Sequence, residues 1–253
     1  MAVDLEERPA KMARKKVSSK SGGMPVQESP GHLESAQASV KRPLRIVMSS
    51  PKGGVGKTGT CRNLAVAAAL EGFRVATVDF DPQKSLTKWW EDRPTDAPDI
   101  EHFATEMGNV DAILADITDF DFVFYDTATA IEEHIDDMKK LLAAADMIIV
   151  PTQASKDDRN STFPWMSALR KIQPKSHFLL NRVRPQTTIF TIARNLLVGT
   201  GHPLCPVEVP DYMDFQEAAE LGIGVLELRR AKGQEQIKGV WSYVRNTVRV
   251  VKA

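Results

Sequence analysis

PKGGVGKT, residues 51–58, is the stretch from which the rest of the chain can be read. Before it stands LRIVMSS (44–50), a short apolar run that suits a strand. After it comes an Ala- and Leu-rich segment, 57 to about 70, with Gly72 as its stop signal. A glycine-rich turn between a strand and a helix is the setting in which backbone N–H groups can close around a phosphate. Gly53, Gly54 and Gly56 allow the tight turn and the close approach. The helix beginning near Lys57 adds its positive end. Lys57 can reach the β- and γ-phosphates as a point charge, and the Thr58 hydroxyl can bind Mg²⁺. Val55 and Gly59 complete the nucleotide-contacting loop.

Working outward, FRVATVDF (73–80), FDFVFYD (120–126), MIIVP (147–151) and HFLLN (177–181) read as further strands. Helical stretches are predicted near 86–91, 131–144, 161–171, 189–197 and 234–250. Near-continuous apolar strands alternating with helices predict an α/β fold, doubly wound, with a mostly parallel sheet covered by helices on both faces. Residues 1–43 differ: basic, then Ser-, Gly- and Pro-rich, and without an aromatic. Such a segment cannot bury enough surface to offset its ordering entropy. It reads as a disordered tail, either a solubilising leader or an arm for DNA or a partner, before a single ATPase domain at 44–253.

Composition narrows the function classes. The 253 residues balance 33 Lys+Arg against 33 Asp+Glu, so a nucleic-acid surface must come from local patches. Two isolated cysteines, Cys61 and Cys205, give no CxxC pair and argue against a zinc knuckle or a cysteine-ligated cluster. No apolar run approaches the ~20 residues that cross a bilayer, and the basic N-terminus lacks the apolar stretch of a secretory signal.

The first position of the usual phosphate-loop pattern is Pro51 rather than glycine, and an extra lysine, Lys52, follows it. KGGVGKT resembles the deviant Walker A motif of the ParA/MinD superfamily, above all its small partition proteins. The resemblance implies a Mg²⁺-dependent, slow ATPase that pairs into a homodimer when ATP is bound. In that reading Lys52 reaches across to the partner's nucleotide, giving charge to the transition state only when a second copy is present. DFDPQ (79–83) resembles the family's switch motif, which makes Asp81 the residue that orients the attacking water and Asp79 a support of the Mg²⁺ shell. Asp126, ending FVFYD, takes the place of the Walker B aspartate. The family continues that motif D-x-P-P; here Asp126-Thr127-Ala128-Thr129 lacks both prolines. Gly59 stands where the family carries a second threonine. VPTQAS (150–155) and VPDYMDFQEAAELG (209–222) resemble the family's VPxQ strand end and its adenine-bordering segment. The second implies Pro210 and Asp211 as nucleotide contacts, and Asn181, in LNRV (180–183), is a candidate contact to the base.

The same engine serves several jobs. A ParA-like partition role implies nonspecific DNA binding through a basic surface, with Arg184, Arg229, Arg230, Arg245 and Arg249 as candidate contacts. It also implies a centromere-binding or cargo adaptor protein, and a cytoplasmic, nucleoid-associated location. A MinD-like role would dock the last helix, with Trp241, Val244, Val248 and Val251 on one face, onto anionic lipid. A third option is positioning of a protein cargo such as a chemotaxis or conjugation complex.

Overall fold

The computed structural model describes residues 42–129 and 134–249. Its elements run β1 (Leu44–Met48), α1 (Lys57–Leu70), β2 (Val75–Asp79), α2 (Ser85–Glu91), β3 (Glu101–Ala104), α3 (Val110–Asp116), β4 (Phe122–Asp126), α4 (Ile135–Ala144), β5 (Met147–Thr152), α5 (Lys156–Ile172), β6 (Ser176–Val183), α6 (Thr188–Gly199), β7 (Val209–Pro210), α7 (Asp214–Glu220) and α8 (Gln234–Arg249). The described strands form one sheet in the order β3-β2-β4-β1-β5-β6-β7. Every pairing is parallel.

The sheet is buried on both faces because its strands are apolar at successive positions. Ile46, Met48, Phe122 and Phe124 face a core shared with α1, α2 and α8. Val47, Val123, Tyr125, Ile148 and Val150 face the opposite core, under α3 to α6. This is the doubly wound arrangement the sequence predicts. The sheet's order reverses at β1, between β4 and β5, where open α/β sheets form a crevice beyond the strand ends. The phosphate loop leaves β1 there.

The basic tail predicted at 1–43 lies outside the described residues except for its end. Arg42 belongs to the fold, its guanidinium gripping both carboxylate oxygens of Asp146 at 2.7 and 3.0 Å. The predicted helix at 131–144 begins at Ile135 among the described residues. The helix predicted from 161 starts at Lys156 instead, because the Ser155 side chain accepts the Asp158 N–H as its N-cap. Pro164 is accommodated inside α5. β3, β7, α3 and α7 have no counterpart among the predicted elements. Of the apolar face proposed for α8, Val251 lies outside the described residues, and the rest packs on the core. Trp241, Val244 and Val248 are buried, and the Trp241 ring packs edge-on against Phe122 at 5.0 Å. No described helix is long and apolar enough to cross a membrane. Cys61 on α1 and Cys205 are both buried free thiols. Burial pushes the Cys205 thiol up to about 11, and Cys61 well above the ordinary range.

Candidate nucleotide site

A cleft of about 650 Å³ opens over the C-terminal ends of β1 and β4, walled by the phosphate loop, Asp81, Thr129, Asn181 and the segment after β7. The loop turns through two left-handed glycines, Gly54 (φ 75°) and Gly56 (φ 91°), the second being the N-cap of α1. Its carbonyls are held from outside. The Gly54 oxygen accepts the Gln153 side-chain amide and the Arg182 guanidinium, both at 3.1 Å. The Val55 oxygen accepts the Asn181 amide at 2.7 Å. From Gly53 through Gly59, no backbone N–H donates to a protein acceptor among the described residues. Neighbouring amides left without acceptors, at the positive end of a helix, form an anion cradle.

The cations divide. Lys57 is buried, with Nζ donating to Thr129 Oγ1 at 3.1 Å and to the Lys52 carbonyl at 3.4 Å. Burial lowers its pKa, against the pull of Asp126 and Asp81. Lys52 is not on the cleft wall. Its Nζ lies 3.1 Å from Asp158 Oδ1, a buried carboxylate in the first turn of α5.

The acidic residues divide as well. Asp126 is fully buried at the end of β4 and accepts the Thr58 hydroxyl on Oδ2 at 2.6 Å. Its Oδ1 is buried and has no hydrogen-bond partner among the described residues. Burial pushes the carboxyl up to about 7, although the Thr58 hydrogen bond pulls it down. A hard cation takes oxygen ligands, so the unpartnered Asp126 oxygen beside the Thr58 hydroxyl fits Mg²⁺. Asp79 differs. Its Oδ1 accepts the Asp81 N–H at 2.9 Å, and its Oδ2 accepts the Thr87 N–H at 3.0 Å and the Thr87 hydroxyl at 2.8 Å. These donors make Asp79 a brace for the turn and for α2. Asp81 lines the cleft and accepts the Gln83 N–H at 2.9 Å.

The sequence profile of the CobQ/CobB/MinD/ParA nucleotide binding domain matches residues 46–224. The chain belongs to this family. The "Maintenance of carboxysome distribution protein A" of Gloeobacter kilaueensis is 29% identical over 195 residues, 76% of this chain and 88% of that one. A putative plasmid partition protein of Borrelia burgdorferi, bound to AMPPNP, superposes with a TM-score of 0.66 at 14% identity, over 84% of this chain and 100% of that one. The cell division ATPase MinD of Pyrococcus furiosus superposes with a TM-score of 0.67 at 18% identity, over 80% of this chain and 98% of that one. At such identities the superpositions speak for the fold.

In this CobQ/CobB/MinD/ParA chain the far wall of the cleft holds the expected Asn181, Pro210 and Asp211. It also holds residues the sequence reading did not assign to the nucleotide: Arg62, Arg182, Tyr212 and Phe215. Arg182 has φ 53° at an irregularity in the β6–β7 ladder, which turns its guanidinium back over the loop. No local sequence signal marks that turn. Gly59 lies on the cleft wall, and an added Cβ there would meet nothing closer than 3.9 Å, so no contact requires glycine. The candidate DNA contacts are spread over separate segments. Arg184, Arg229 and Arg230 are exposed in loops. Arg245 is engaged by Glu71 at 2.6 Å, which removes it from the available cations. Arg249 ends α8, and its side chain lies outside the described residues.

Proposed function

We propose that the chain is an ATP-driven positioning or partitioning switch. The observation that carries this is the cradle of acceptor-free amides around Lys57, with the Thr58–Asp126 pair at its floor. The amides and Lys57 neutralise the triphosphate, and Asn181 and the segment after β7 take the base. Mg²⁺, when bound between Thr58 and Asp126, neutralises charge developing on the phosphates. Asp81, on the cleft wall, orients the attacking water. Lys52 leaves Asp158 to reach the nucleotide of a second copy, so that hydrolysis waits for pairing.

The ATP-bound dimer then holds DNA nonspecifically, with Arg184, Arg229 and Arg230 as the remaining described candidates, and an adaptor protein stimulates hydrolysis and release. Whether the cargo is DNA or a protein assembly is a second question. The resemblance to a carboxysome distribution protein over most of that protein's length favours a protein assembly. Sedimentation with ATP, DNA and liposomes in parallel tests the reading. Lys57→Ala is expected to abolish ATP binding, and Lys52→Ala to bind ATP without pairing. A parent protein that ignores ATP, or binds it yet never pairs, refutes the proposal.

A further inference from the structure

Thr129 stands where the family motif D-x-P-P carries its second proline, and it brings a hydroxyl to a place where proline has no hydrogen-bonding group. Its Oγ1 accepts from Lys57 Nζ at 3.1 Å and lies on the cleft wall. Among the described residues, chain neighbours aside, it is also the only atom within 4 Å of a Cβ built on Gly53, at 3.9 Å, while the same construction on Gly56 meets Asn181 Nδ2 at 2.2 Å. The loop therefore has Thr129 at its Gly53 end and Asn181, the residue assigned to the base, at its Gly56 end. A nucleotide laid along the loop with its base at Asn181 has its terminal phosphate beside Thr129.

A hydroxyl accepts through its lone pairs and donates its single proton. Thr129 uses its acceptor capacity on Lys57, and its proton goes to no acceptor among the described residues. Nζ and Oγ1 are close enough together that one phosphate oxygen can sit about 2.8 Å from the first and about 2.7 Å from the second. We propose that Thr129 is a specificity-determining residue, donating its hydroxyl proton to the terminal phosphate and so favouring nucleoside triphosphate over diphosphate. This inference rests on the nucleotide reading of the cleft.

The test is a calorimetric titration of ADP and of AMPPNP, with Mg²⁺, into the parent, Thr129→Ala and Thr129→Ser. One hydrogen bond to a charged group corresponds to about a tenfold change in affinity. Thr129→Ala is expected to weaken AMPPNP about tenfold and ADP less than twofold. Thr129→Ser, which keeps the hydroxyl, restores AMPPNP to within about threefold of the parent. Equal weakening of both nucleotides in Thr129→Ala, an unchanged ADP-to-AMPPNP ratio, or a serine variant no better than alanine overturns the assignment while leaving the nucleotide site standing. A parent protein that binds neither nucleotide brings down the proposed function itself, and this inference with it.

Discussion

Asp126 is the residue whose replacement separates stability from function. Its carboxyl titrates at about 7 in the folded chain against 3.8 in the unfolded chain, chiefly because it is buried. The folded chain therefore keeps a proton across that window that the unfolded chain has lost, and stability falls as pH rises from about 4 to about 7. The gap corresponds to about 4 kcal/mol of destabilisation when the group is fully ionised. Asp126→Asn removes this charge and keeps an oxygen to accept the Thr58 hydroxyl. Its new amide points toward the unpartnered Oδ1 position, where an unsatisfied buried donor costs about 1–3 kcal/mol. The net expectation at pH 8, without metal or nucleotide, is a gain of about 2 kcal/mol, or roughly 4–8 °C in Tm for a domain of this size. At pH 5 most of the charge penalty is already absent and the gain disappears. Thermal melts of parent and variant in EDTA at the two pH values measure it. The same variant is expected to lose Mg²⁺-dependent nucleotide binding. A variant that melts below the parent at pH 8, or differs from it equally at both pH values, refutes the reasoning.

Gly56→Ala places a side chain at φ 91° and its Cβ 2.2 Å from Asn181 Nδ2, breaking the bond that holds the Val55 carbonyl. Strain of about 1–3 kcal/mol and the displaced Asn181 should weaken ATP binding more than tenfold by calorimetry; near-parental affinity counts against the clamp. Arg93 is buried, bonded to both Glu227 oxygens at 3.0 and 2.7 Å and to the Pro98 carbonyl at 3.0 Å. Arg93→Ala is expected to lose about 3–5 kcal/mol in urea unfolding by stranding Glu227, and adding Glu227→Ala should recover part of it; strictly additive losses contradict the pairing.

The central strands and the phosphate loop were legible because their signals are local: continuous apolar runs, glycines at fixed spacing, and a lysine ahead of a helix. The edge of the sheet was not. β3 has the pattern exposed, half-buried, half-buried, exposed, and β7 has two residues, so neither shows the apolar run of a buried strand. The start of α5 was missed although S-x-x-D, residues 155–158, is a capping signal. Within the site, the apolar strand before Asp126 announced a carboxylate at the strand end. Nothing local distinguishes it from Asp79, whose oxygens are taken by Asp81 and Thr87 only because α2 folds back on β2. The Lys52–Asp158 pair and the Arg182 turn join segments far apart in sequence, which only the sheet order brings together.

Both thiols of the chain are shielded, one within α1 and one beside α8, and burial keeps them protonated. Maleimide dyes and bifunctional cross-linkers require an accessible thiolate, so the native protein is nearly silent toward them. A single cysteine introduced on an exposed side chain near the cleft mouth, such as Gln83, becomes a selective chemical handle. The pairing proposed on ATP can then be followed by a covalent link or by energy transfer between dyes, without first removing either native residue.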